Sequence, residues 1–108
     1  MRVIAGAERG ITLKTPEGLR TRPTAERVKE GLFSAIQFEI PGTRVLDLFA
    51  GTGQLGIEAL SRGARDAVFV DMGADACRLV RENLQRTGLT GRAQVVQADY
   101  LRYLERRQ

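Results

Sequence analysis

With 108 residues the chain has the length of one small domain, and 43% hydrophobic with 28% charged residues suits a globular fold with a buried core. It has no histidine and a single cysteine, Cys77, which removes the commonest general base, the commonest metal ligand and any internal disulfide. A transition-metal site is therefore not expected. No apolar run nears the ~18 residues of a membrane-crossing helix, and Arg2 is followed by only a short apolar stretch before Glu8 and Arg9, unlike a signal peptide. A reducing, cytoplasmic setting is expected. The net charge of +4 and pI near 10.0 fit an acidic partner such as RNA or DNA, or simply a solvated basic surface. Residues 1–44 carry eight Lys/Arg against five Asp/Glu, residues 45–99 six against seven, and residues 100–108 three against one, so the excess sits on the flanks.

In chain order, residues 2–5 and 11–14 are short β-prone runs separated by Gly6 and Gly10, which predicts a hairpin. Residues 15–23 hold Pro16, Gly18 and Pro23 with Arg20 and Arg22, an extended basic loop. Thr24 is a candidate helix cap, and Val28, Leu32, Ala35 and Ile36 then recur at helical spacing until Pro41-Gly42. Beyond that point strands and helices alternate. Residues 44–49, 66–71 and 92–97 read as strands. Residues 53–62 and 74–87 read as helices stopped by Gly63 and Gly88, and Tyr100 to Arg106 begins a third. Short links in β-α-β-α-β order call for parallel strands with right-handed crossovers, an α/β fold.

In such a sheet ligands lie beyond the carboxyl ends of the strands. Three features meet there. The loop Gly51-Thr52-Gly53-Gln54-Leu55-Gly56, a G-x-G-x-x-G pattern, ends the first strand; Asp71 ends the second; Asp99 follows the third. Glycines let a nucleotide-like ligand approach the backbone, but the pattern describes dinucleotide sites as well. Asp47 helps to choose between the two. It is a carboxylate inside an apolar strand, and it needs a partner. It would repel a diphosphate and attract the ammonium and sulfonium of S-adenosylmethionine. That ligand's carboxylate could meet the amides opening the helix at 53, Asp71 the ribose hydroxyls, and Asp99 the adenine amino group. Each acid also has a structural alternative: Asp47 bonding turn amides, Asp71 capping the next helix, Asp99 serving as an N-cap. Cys77 falls on an apolar stripe and reads as core. Tyr100 and Tyr103 either stack on a base or pack on a helix face.

The run from Leu46 to Ala64 closely resembles the first motif of the RsmD family, bacterial methyltransferases acting on a guanine N2 of small-subunit (16S) ribosomal RNA. Met1 to Gly6, Thr21-Arg22-Pro23-Thr24, Arg27 to Glu30, Leu32-Phe33 and Val68 to Asp71 are similar to that family as well. The resemblance implies a partial class I methyltransferase sheet of Rossmann-like type: three parallel strands with flanking helices, preceded by the hairpin and first helix. It implies S-adenosyl-L-methionine bound by Asp47, the Phe49-Ala50-Gly51 to Gly53 backbone, Asp71 and Asp99. Residues 1–42 would then face ribosomal RNA or a small-subunit assembly particle, with Arg20, Arg22, Arg27 and Lys29 on phosphates, and residues 43–108 would hold the cofactor. Gln54 stands where the family commonly has a smaller residue. The family's catalytic Asn/Asp-Pro-Pro-aromatic element is not found here, since prolines occur only at 16, 23 and 41. No catalytic residue is expected within these residues, and the isolated chain is expected to be inactive. The first strand, lacking its usual second neighbour, is expected to offer an apolar edge for self-association. The competing readings are a dinucleotide-binding oxidoreductase unit and a non-catalytic RNA-binding fragment.

Overall fold

The structure, a computed structural model, describes residues 2–15, 23–36, 38–48 and 50–106, of which residues 23–26 are described by their backbone. Three strands form one parallel sheet in the order β1 (Arg44–Leu48), β2 (Asp66–Asp71), β3 (Ala93–Gln97). Asp47 lies beside Phe69, and Asp71 beside Gln97. Helix α1 (Pro23–Ile36) precedes the sheet, α2 (Gln54–Ser61) and α3 (Ala74–Thr87) link its strands, and α4 (Tyr100–Arg106) follows β3. No described helix is long and apolar enough to cross a membrane.

Alternation of side chains along the strands decides the layering. Val45, Ala67, Phe69, Ala93 and Val95 face the core shared with Ile57, Leu60, Val80 and Leu84 of α2 and α3. The ring of Phe69 is fully buried, and a Cβ on Gly56 would come within 2.4 Å of it. The third glycine of the loop pattern therefore lets α2 lie close against β2. Among the described residues β1 has no second strand partner. On the sheet's other face Leu46 stays 42% exposed.

The strands over 44–48 and 66–71 and the helix over 74–87 match the sequence pattern closely. Two N-terminal expectations need correction. The predicted hairpin is reduced to one antiparallel bridge between Arg2 and Thr12, flanked by Val3 N–H to Ile11 O (3.0 Å) and Gly10 N–H to Val3 O (2.9 Å). The ladder stops because the next amides, Ile4 and Ala5, donate to the carboxylate of Glu58 at 2.8 and 3.0 Å. Helix α1 also packs one position out of the expected phase. Lys29 and Phe33 are buried, with Ile36 packed beside them, while Val28, Leu32 and Ala35 are exposed. Glu58 again supplies the reason: its buried charge draws Lys29 inward, with Nζ 3.2 Å from Oε1.

Candidate functional site

The three strands end on one side, and the loops beyond them surround two cavities. The larger, about 770 Å³, runs between the glycine loop and α3 and is bordered by Asp47, Ala50, Gly51, Thr52, Leu79 and Lys14. The smaller, about 450 Å³, is bordered by Met72, Ala98, Asp99 and Arg102. Asp71 stands between the two loops. Its Oδ2 accepts the N–H of Gly51 at 3.2 Å and its Oδ1 that of Gly73 at 2.8 Å, so it ties the turn after β1 to the start of α3. The amide of Gly73 precedes the first turn of α3, and no side chain caps that helix, so the capping alternative read from the sequence is not realised.

Gly53 caps α2 with φ +82°, in the left-handed region that glycine enters at little cost. It has no side chain to satisfy the first amides of α2. Asp47 satisfies one of them from inside β1, its Oδ2 accepting the N–H of Gly56 at 3.2 Å. That is the one hydrogen bond to its carboxylate among the described residues. The side chain is 8% exposed, and behind it lies an apolar groove bordered by Phe33, Ile36, Leu55 and Ala59. Burial pushes its carboxyl up to about 6; the Gly56 N–H opposes this and the negative charge of Asp71 adds to it.

Asp99 caps α4, its Oδ1 accepting the N–H of Leu101 (2.8 Å) and Arg102 (3.4 Å). Its Oδ2 has no such partner among the described residues. Asp47, Ala50 and Gly51 line one cavity and Asp99 the other, with Asp71 at the junction; Phe49, Arg20 and Arg22 lie outside the described residues. Arg27 is exposed on α1. Lys29 is a correction. At 3% exposure it lies within the fold, paired with Glu58, and cannot reach a phosphate backbone. Cys77 is buried as expected, and burial together with the charge of Asp71 raises its thiol. Tyr103 lies along the open sheet face beside Leu46, Val68 and Gln94.

Among the buried polar residues, Glu58 and Asn83 escaped the sequence reading. Glu58 accepts from Ile4, Ala5, Arg62 (Nε, 2.8 Å) and Lys29. Burial alone would raise its carboxyl, but these donors together hold it below the usual carboxylate range. Asn83, fully buried on α3, bonds the backbone of Lys14 and Thr52. The available signal was position: Asn83 falls between Val80 and Leu84 on the inward stripe of α3.

A family model described as "Conserved hypothetical protein 95" matches residues 1–108. "Putative rRNA methyltransferase YlbH" of Bacillus subtilis is 49% identical over 104 residues, covering 96% of this chain and 56% of that protein. "Ribosomal RNA small subunit methyltransferase D" of Escherichia coli is 38% identical over 104 residues, covering 96% and 52%. Among solved structures, "Putative methyltransferase yhhF" from Escherichia coli superposes with a TM-score of 0.85 at 40% identity, covering 96% of this chain and 56% of that one. The chain thus spans about half the length of the curated relatives it matches.

Proposed function

Because the chain belongs to the family described as conserved hypothetical protein 95, we propose that it forms the cofactor-holding half of an S-adenosylmethionine-dependent methyltransferase acting on a guanine N2 of small-subunit ribosomal RNA. Relatives named as rRNA methyltransferases support the reaction class.

The observation that carries the cofactor is Asp47. It is a buried carboxylate with one amide partner among the described residues and an acidity weakened to about 6. A positively charged ammonium supplies what it lacks, whereas a diphosphate at the same place would be repelled. Around it, the Gln54 and Leu55 amides at the start of α2, which Asp47 does not use, suit the ligand's carboxylate. Asp71 keeps lone pairs beyond its two amide bonds for ribose hydroxyls. Asp99 borders the smaller cavity, and its Oδ2, outside the α4 cap, is an acceptor for an adenine amino group.

The bound cofactor supplies a methyl group on a positively charged sulfur. The residues of this chain bind and orient; none is assigned a proton-transfer step, and their contribution is positioning. Residues 43–108 hold the cofactor together with Lys14 and Thr15 at the edge of the cavity, and the rest of residues 1–42 faces RNA. Arg27, with Arg20 and Arg22, contacts phosphates, which positions RNA without reading its sequence. The proposed ribosomal substrate carries with it a cytoplasmic location.

Isothermal calorimetry with S-adenosylhomocysteine and with NAD tests the reading. Binding of S-adenosylhomocysteine and not NAD is expected. Binding of NAD alone would favour a dinucleotide-dependent oxidoreductase. No binding of either, with RNA affinity lost on Arg27→Ala, would favour a non-catalytic RNA module.

A further inference from the structure

The larger cavity has a wall that is remote in sequence from the glycine loop. Leu13 is 2% exposed and anchors the segment in the core. Lys14, next to it, reaches Glu82 of α3 at 3.0 Å and borders the cavity with Thr15. What holds this segment is the carboxamide of Asn83, which has 0% exposure. Its Oδ1 accepts the Lys14 N–H at 2.6 Å, and its Nδ2 donates to the Lys14 carbonyl at 2.9 Å and to the Thr52 carbonyl at 2.8 Å. One side chain therefore fixes the N-terminal segment and the glycine loop, 69 and 31 residues away in sequence, to a single point on α3.

We propose that Asn83 is a positioning residue for the ligand's amino-acid end: by fixing the Lys14 backbone and the Thr52 carbonyl to one carboxamide, it sets the width of the cavity beside Asp47. This rests on reading the cavity as an S-adenosylmethionine site. Both Nδ2 hydrogens are used, so no rotation of the carboxamide satisfies all three backbone groups in another way. Among the described residues, the smaller cavity at Met72 and Asp99 shares no lining residue with this latch. A change at Asn83 should thus separate ligands that carry the amino-acid tail from those that do not.

The probes are S-adenosylhomocysteine and 5′-methylthioadenosine, which shares its adenosine and sulfur but lacks the tail. Asn83→Asp keeps the side-chain shape and the acceptor for Lys14 N–H, but turns an oxygen toward two carbonyls. It is expected to weaken S-adenosylhomocysteine by ~tenfold or more and 5′-methylthioadenosine by less than ~twofold. Equal weakening of both, or of neither, overturns the proposal. The unaltered chain provides a second measurement that does not depend on the variant's folding. Saturating S-adenosylhomocysteine should slow hydrogen exchange at the Lys14 amide, while saturating 5′-methylthioadenosine should not. Identical exchange with the two ligands overturns the role of Asn83 alone. An unaltered chain that binds neither ligand overturns the cofactor reading together with it.

Discussion

Two buried carboxylates eleven residues apart show opposite solutions to the same electrostatic problem. Glu58 has no exposure and is surrounded by donors: two backbone amides, Arg62 and Lys29. Asp47 is nearly as buried and has one amide among the described residues. The first is held below the normal carboxylate range and the second raised to about 6. A satisfied buried charge is architectural, here fastening the N-terminal segment and α1 to α2. An undersupplied one bordering a cavity is poised for a cation from outside.

The largest expected effect lies on the architectural side. Glu58→Ala leaves Lys29 and Arg62 without their carboxylate and the Ile4 and Ala5 amides without an acceptor. Loss of one partner from a buried ion pair costs roughly 3–5 kcal/mol, so urea unfolding should show a large loss of stability or no cooperative transition. An unchanged midpoint would erase the distinction between the two acids.

Asp47→Asn should act in the opposite direction. The Asp47 carboxyl is raised from 3.8 to about 6 in the fold, so its protonated form stabilises. That contribution is complete below the unfolded value and is lost as pH rises through about 6. The variant escapes the loss, by at most about 3 kcal/mol at 1.36 kcal/mol per pH unit. Its midpoint should exceed that of the unaltered chain at pH 7.5, with the gap closing toward pH 4.5. Glu58, held below its normal value, contributes stability that fades as pH falls. Equal midpoints of the two proteins at all pH values would mean that Asp47 is not strained by burial.

Gly56→Ala probes the one hydrogen bond that the Asp47 carboxylate accepts among the described residues. Its Cβ would lie 2.4 Å from the Phe69 ring, so α2 must shift away from β2, at a cost of roughly 1–3 kcal/mol. The amide that Asp47 accepts moves with it. Weaker ligand binding should accompany the lower melting temperature, and a variant with native stability would show that the contact relaxes freely.

The sheet half of the fold was legible because its signals are local. Alternation in residues 66–71 and the helical stripe of 74–87 need only neighbours to be recognised, and the glycine loop announces its turn. The N-terminal part was less so, because its structure is set by long-range polar contacts. From sequence, Glu58 and Arg62 form an ordinary i,i+4 surface pair. Nothing local shows that Lys29 turns inward to join them, displacing Val28 and Leu32 to the surface, or that Ile4 and Ala5 leave their β partner for the same carboxylate. The acids of the candidate site were visible by position alone. Their hydrogen bonds were not: Asp71 tying two loops and Asp99 capping α4 depend on where backbone amides come to lie.

Pairing of Asp47 with the ligand's ammonium is read by calorimetric titration of S-adenosylhomocysteine at pH 5 and pH 7.5. With an unliganded carboxyl near 6, only about a tenth of Asp47 is ionised at pH 5, so affinity should rise about tenfold by pH 7.5. This rise should vanish in Asp47→Asn. An affinity that is flat with pH in the unaltered chain, or a rise that persists in the variant, would contradict the account.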